Sequence, residues 1–239
     1  HRRSSAASDV YKRQVLYLLS GVLFILAIRG LSSPDTARSG NYLGISGMII
    51  AFIVTIINLD QNTIVNWLLI ISGISIGGLI GSYLSKKVAM TDMPQMVAAL
   101  NSMGGMSAVL VAWAAFLSPG SFGLLFNGVI NTSSIIQMLL GILVGAITFS
   151  GSVIAFLKLQ GLMTGAPIIL PFRHFINIFI FLIILILSFF MILDETNTDI
   201  VLFLFVTVLS LLLGLLLIIP IGGAAVSYTH LTLPTISDV

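Results

Sequence analysis

The 239-residue sequence has very few charged side chains. Asp, Glu, Lys and Arg make up 8% of its residues, whereas soluble domains contain about 25%. With 58% hydrophobic residues and a mean hydropathy of +1.16, its surface could not be covered with polar groups in water. Cysteine is absent, which excludes disulfides, thiolate metal sites and cysteine nucleophiles. The composition therefore excludes an ordinary soluble domain and predicts a polytopic membrane protein.

Seven long apolar runs are present, and a helix needs roughly 20 mostly apolar residues to cross a bilayer. No run alternates with a period of two, and every backbone donor in lipid must be paired, so an all-α transmembrane bundle is expected rather than a barrel. Thr91 and Asp92 predict a capped start for the fourth helix, with Pro94 near that start. The predicted spans are residues 15–31, 43–57, 65–84, 93–117, 135–157, 175–193 and 200–219.

Basic residues occur in alternate connections between these spans, and the opposite connections hold acidic residues or no charge. Short loops rich in Lys and Arg stay on the cytoplasmic side of a membrane. We therefore expect the N-terminus outside and the C-terminus of the seventh span in the cytoplasm. The basic residues that carry this prediction are Arg29, Arg38, Lys86, Lys87, Lys158 and Arg173.

The N-terminal segment, residues 1–14, does not fit this topology. Four basic residues precede the first span and would hold the N-terminus in the cytoplasm. One interpretation is a signal peptide, although no small-residue cleavage site follows the apolar run. The other is that residues 1–14 and 225–239 are non-native tails, because both resemble translated sequencing-adapter fragments. Six basic and six acidic residues then remain, and the formal charge of +2 falls to zero.

Two motifs with polar residues at defined positions carry a family resemblance. They are KKVAMTDMPQMVAAL at residues 86–100 and AITFSGSVIAFLKL at residues 146–159. Together with LPFRHFINI, they resemble the membrane domain of the proton-translocating NAD(P) transhydrogenase, beta subunit, over residues 15–224. The resemblance implies a multi-pass protein of the bacterial inner membrane. It also implies that the chain helps to couple proton passage to hydride transfer between NADH and NADP.

The resemblance implies cofactors that this sequence does not itself bind. In the family, NAD is bound by the alpha subunit, and NADP is bound by a soluble domain that follows two further spans of the beta chain. No glycine-rich nucleotide-binding fingerprint occurs here. We therefore expect no bound cofactor, metal or nucleic acid, no catalytic residue and no activity of this chain alone. The implied partners are the alpha subunit, a second copy of the assembly and the lipid bilayer.

Polar residues in the fourth and fifth spans are candidates for a proton path, because polar groups in lipid usually face a bundle interior. The family often has a proton-translocating histidine where this sequence has Asn101. An amide donates and accepts hydrogen bonds but does not change charge near neutral pH. Asn101 could order water or simply join two helices, and the hydroxyls could bond only within their own helix. The candidates are Asn101, Ser102, Thr148, Ser150 and Ser152.

Two further groups of residues are singled out. Small residues at helical spacing predict close helix contacts; these are Gly73, Gly77, Gly81, Gly104, Gly105, Gly141 and Gly145. Charged residues near the cytoplasmic ends predict contacts with the nucleotide domains, although Arg173 and His174 could instead anchor the sixth helix at the membrane interface. The coupling-loop candidates are Lys86, Lys87, Asp92, Arg173 and His174.

Two alternative functions are weaker. A secondary transporter predicts ion-pairing acids inside the spans, and none of the six acids between the tails lies inside one. A non-catalytic membrane scaffold explains the glycines, but it gives no reason for the polar positions at Asn101 and Thr148–Ser152.

Overall fold

The structure, a computed structural model, describes residues 2–57, 64–126, 128–168, 170–193 and 199–222, without side chains for residues 2–10, 90 and 126. Within these residues, seven helices are long and apolar enough to cross a membrane, which confirms the predicted all-α architecture. They are α1 (Arg2–Leu31), α2 (Ala37–Ile57), α3 (Ile64–Lys87), α4 (Met93–Leu117), α5 (Thr132–Leu159), α6 (Arg173–Leu193) and α7 (Ile200–Ile218). A short antiparallel hairpin, β1 (Leu125–Phe126) and β2 (Val129–Ile130), lies between α4 and α5.

Helix α2 is longer than its apolar run. It begins at Ala37 rather than at Leu43, because polar residues ahead of the run complete its first turn. The backbone N–H of Gly40 donates to the Thr36 carbonyl over 2.9 Å, and the Ser39 hydroxyl donates to the same carbonyl over 2.8 Å. The helix therefore has 21 residues, enough to span a bilayer.

The chain divides into two compact units, His1–Tyr83 and Leu84–Val239. In the first unit, α1 and α2 form a helical hairpin. The Ser20 hydroxyl donates to the Gly47 carbonyl over 2.7 Å. A Cβ added to Gly30 would lie 2.7 Å from the Cα of Gly40, so glycine allows the two backbones to approach. No residue of α3 is buried by the described part of the chain.

In the second unit, α5 is the central helix and packs against α4 and α7, while α6 packs mainly against α7. An aromatic cluster joins α4 to α7. The rings of Phe116 and Phe203 stack with centroids 4.1 Å apart, and Trp113 meets Phe203 edge-on at 4.9 Å. The indole N–H of Trp113 donates to the Thr207 hydroxyl over 3.2 Å, so its one polar group is satisfied inside the apolar core.

The helices α4 and α7 begin in different ways. The Asp199 carboxylate accepts from the backbone N–H groups of Val201 and Leu202, at 3.0 and 3.2 Å, and so caps α7. Asp92 also takes the N-cap position of α4, but its side chain makes no capping hydrogen bond. The predicted side-chain cap is therefore wrong, because Asp92 ends a 3₁₀ turn instead of adopting the extended backbone of a capping residue. Pro94 does lie in the first turn of α4, as predicted.

This difference gives a stability prediction. Asp199→Ala removes two hydrogen bonds to backbone donors and should lower the free energy of unfolding by about 1 kcal/mol. Asp92→Ala removes no capping bond and should change it by less than about 0.5 kcal/mol. Unfolding of the purified protein in a denaturing-detergent titration would measure both. Equal losses in the two variants would contradict the assigned difference in capping.

Candidate functional site

A side-chain hydrogen bond joins α4 to α5. The amide Nδ2 of Asn101 donates to the Ser152 Oγ over 2.8 Å. Asn101 is exposed in this chain and Ser152 is half-buried, so the pair lies at the edge of the α4–α5 contact. The sequence analysis named Asn101 and Ser152 as separate candidates, and the structure shows that their side chains are hydrogen-bonded to each other.

The register of this pair is set by a close approach of two backbones. A Cβ added to Gly105 would lie 2.7 Å from the Gly145 carbonyl oxygen, and one added to Gly145 would lie 2.9 Å from the Gly105 carbonyl oxygen. Real Cβ atoms do not come this near to backbone, so both positions require glycine. The two helices run antiparallel, and Asn101, one turn before Gly105, therefore meets Ser152 on the following stretch of α5. The contact at Gly141 is less close, because a Cβ added there would lie 3.7 Å from the Ala112 Cβ.

Two of the other proton-path candidates bond within their own helices. The Ser102 hydroxyl donates to the Ala99 carbonyl over 2.7 Å, and the Ser150 hydroxyl donates to the Ala146 carbonyl over 2.8 Å. Ser150 is buried where α5 meets α7, on a different face from Ser152. Thr148 is half-buried on α5, one turn before Ser152. Asn101 and Ser152 are thus the candidates that the structure links across a helix interface.

The remaining glycine candidates have no near neighbour in the described residues. A Cβ added at any of these positions would meet no atom within 4 Å. Their predicted role in helix packing stays a prediction. They are Gly73, Gly77 and Gly81 on α3 and Gly104 on α4.

The coupling-loop candidates lie at helix ends rather than in loops. Lys86 and Lys87 form the last turn of α3, and Asp92 precedes α4. Arg173 and His174 begin α6, where the Arg173 Nε donates to the His174 Nε2 over 3.2 Å. Among the residues that the structure describes, no group of three His, Asp or Glu side chains could hold a metal ion.

Lys158 has an arrangement that the sequence analysis missed. The apolar runs predict that it lies in the connection after span five, but it lies in the last turn of α5 and is 6% exposed. Its Nζ donates to the carbonyl oxygens of Ile219 and Ile221, both at 2.6 Å, and to that of Ile218 at 3.4 Å. A basic residue at the end of a span usually extends into water, so these contacts could not be predicted from the position of Lys158 in the sequence.

Comparison with known proteins identifies the family. The family model described as NAD(P) transhydrogenase beta subunit matches residues 13–229. The chain belongs to this family. Two curated relatives, both NAD(P) transhydrogenase subunit beta from Rhodospirillum rubrum, are each 47% identical over 208 residues. The match covers 87% of this chain and 44% of each relative, so the chain spans less than half the length of these relatives.

Membership of the transhydrogenase beta family confirms the resemblance drawn from the two sequence motifs. Asn101 directly follows the first motif, and Ser152 lies within the second. The family and the seven apolar helices together make the chain a multi-pass membrane protein. The non-native origin of residues 1–14 and 225–239 stays a prediction.

Proposed function

We propose that this chain forms part of the proton-translocating membrane domain of an NAD(P) transhydrogenase. The observation that carries the proposal is the Asn101–Ser152 hydrogen bond in a member of the transhydrogenase beta family. Polar side chains are costly in lipid and are usually found facing a bundle interior or a water-filled cavity. Asn101 and Ser152 are hydrogen-bonded to each other beside the close approach of Gly105 and Gly145. They supply the hydrogen-bond donors and acceptors that a proton path would need there.

The chemistry of the pair limits its part in that path. A hydroxyl and an amide each donate and accept hydrogen bonds, so Asn101 and Ser152 can orient water and pass protons along hydrogen bonds. Neither group changes charge near neutral pH, unlike the histidine that the family often has at the position of Asn101. The group that gains and loses the proton therefore lies elsewhere in the complete enzyme, on another part of the beta chain or on a partner.

In this proposal the hydride chemistry takes place outside the chain. The glycine pairs Gly77–Gly78 and Gly104–Gly105 lie inside α3 and α4, where helical hydrogen bonds engage the backbone N–H groups. They do not fit a pyrophosphate, which binds at free N–H groups of a helix N-terminus. We assign NAD to the alpha subunit and NADP to a soluble domain of the complete beta chain. The chain alone is then inactive.

The assembly and orientation follow from the same proposal. The complete enzyme contains alpha subunits and a second copy of the assembly, in a bacterial inner membrane. The segregation of basic residues supports an orientation with the N-terminus outside and the end of α7 in the cytoplasm. The helix ends at Lys86, Lys87, Asp92, Arg173 and His174 would then face the nucleotide domains.

Replacement of Ser152 tests the proposal. In the complete enzyme in sealed vesicles, Ser152→Ala removes the acceptor of the Asn101 amide and one hydroxyl of the path. Proton-coupled hydride transfer should slow about tenfold, which corresponds to about 1.4 kcal/mol in the barrier. The measurement combines nucleotide absorbance with a pH-sensitive dye inside the vesicles.

Ser150→Ala is the matched control for this experiment. Its hydroxyl bonds to Ala146 in the same helix and faces α7, so its loss should leave the rate near that of the wild type. An equal loss of rate in the Ser152→Ala and Ser150→Ala variants would contradict a specific role of Ser152 in the proton path. Hydride transfer by the wild-type enzyme with no proton movement would refute the proposed function itself.

A further inference from the structure

Lys158 forms an unusual cap on the C-terminus of α7. A lysine ammonium group has three N–H donors, and here three carbonyl oxygens face it, those of Ile218, Ile219 and Ile221. The last carbonyls of a helix lack partners within the helix and carry partial negative charge. A cation from α5 thus adds a charged donor to three carbonyls at the end of α7 and just after it.

A third segment meets the same carbonyls. The backbone N–H of Ile168, in the connection between α5 and α6, donates to the Ile219 carbonyl over 3.4 Å. The N–H of Ile221 turns back to the Ile218 carbonyl over 3.0 Å. Lys158 therefore lies where the end of α5, the connection after it and the exit of α7 come together.

The two helices are also in backbone contact next to this cap. A Cβ added to Gly214 on α7 would lie 2.7 Å from the Ile147 carbonyl oxygen on α5, and one added to Gly151 would lie 2.9 Å from the Cγ1 of Ile218. Sliding α7 along α5 would break these contacts and the three bonds to Lys158 together. The two helices are consequently fixed in one register.

A different face of α5, about 120° around the helix from Lys158, carries the Asn101–Ser152 bond. Six residues separate Ser152 from Lys158 along α5, an axial rise of about 9 Å. We propose that Lys158 is a positioning residue that transmits movement at the exit of α7, through α5, to the Asn101–Ser152 contact. This inference rests on the proposed function, because it gives the contact a role in coupling.

The test is the number of protons moved per hydride transferred by the complete enzyme in vesicles. Lys158→Met removes the ammonium group and keeps an unbranched side chain of similar length. We expect it to lower this ratio about fivefold, the lower end of the range found for coupling between two sites. A merely structural role would reduce the amount of folded enzyme and both rates in proportion, without changing the ratio. Arg38→Met, which removes an exposed basic residue at the start of α2, should keep the wild-type ratio.

An engineered disulfide between α5 and α7 gives a second, independent test of the inference. The chain has no cysteine, and the Gly151–Ile218 contact is close enough for a Gly151→Cys, Ile218→Cys pair to bridge α5 and α7. In the Lys158→Met background, oxidation of this pair should restore the ratio, and reduction should lower it again. An unchanged ratio in Lys158→Met, or no recovery on oxidation, would overturn the inference while wild-type pumping leaves the proposed function intact. Absence of pumping in the wild type would instead defeat the proposed function.

Discussion

Replacing Gly105 with alanine should separate α4 from α5 and sharply reduce the amount of folded protein. The added methyl group would lie 2.7 Å from the Gly145 carbonyl oxygen and 3.0 Å from the Cα of Phe149. Both are backbone atoms, so no side-chain rotation relieves the clash. Overpacking in a core costs about 1–3 kcal/mol and sometimes more, whereas alanine improves helix propensity by only about 1 kcal/mol. A net loss of stability is therefore expected, together with a break in the Asn101–Ser152 contact.

The adjacent glycine provides the control. A Cβ added to Gly104 meets no atom within 4 Å in the described residues. Gly104→Ala should thus be neutral or slightly stabilising, since the gain in helix propensity has no clash to offset it. Size-exclusion chromatography in mild detergent and the melting temperature of the purified protein would compare the two variants. Similar behaviour of both would show that the α4–α5 approach is looser than described.

The second large effect is expected at Asn101. Asn101→Leu keeps a side chain of similar size but removes every donor and acceptor, and it leaves the Ser152 hydroxyl facing an apolar group. If the pair lines the proton path, proton-coupled turnover of the complete enzyme should fall about 100-fold, equivalent to about 2.7 kcal/mol in the barrier. Initial rates in coupled vesicles would measure it.

Assembly and transport can be separated in this variant. A hydrogen bond between membrane helices contributes about 1 kcal/mol or less to stability, so Asn101→Leu should change the melting temperature little compared with its effect on the rate. Ser107→Ala serves as the control on the same helix, because that hydroxyl donates to the Gly104 carbonyl of its own turn. If the Asn101→Leu variant transported protons at the wild-type rate, Asn101 would have a role in helix packing only.

The helices could be predicted from the sequence because length and apolarity alone decide whether a segment spans a bilayer. The residues at which the helices begin were harder to predict. The start of α2 depends on Thr36 and Ser39, polar residues that no hydropathy average would include. The start of α4 depends on backbone angles, and an aspartate at the N-cap position did not guarantee a capping bond there.

The candidate site was predictable only as separate residues. Asn101 and Ser152 stand out because polar groups are rare in apolar helices, but their pairing depends on the register that Gly105 and Gly145 impose in three dimensions. The same glycine spacing on α3 marks no close contact in the described chain, so the spacing alone does not specify a partner. Lys158 escaped prediction because its acceptors belong to a helix much later in the sequence.

The cap at Lys158 also bears on how the protein is made. Its carbonyl acceptors lie 60 to 63 residues further along the chain, so α5 emerges from the ribosome well before α7 exists. In the proposed orientation, the ammonium group would act during that interval as a positive charge that retains the end of α5 in the cytoplasm. When α7 arrives, the same charge becomes an internal ligand for the new helix. In that orientation, one lysine would first help to orient a nascent segment and would later bond to the carbonyls at the end of α7.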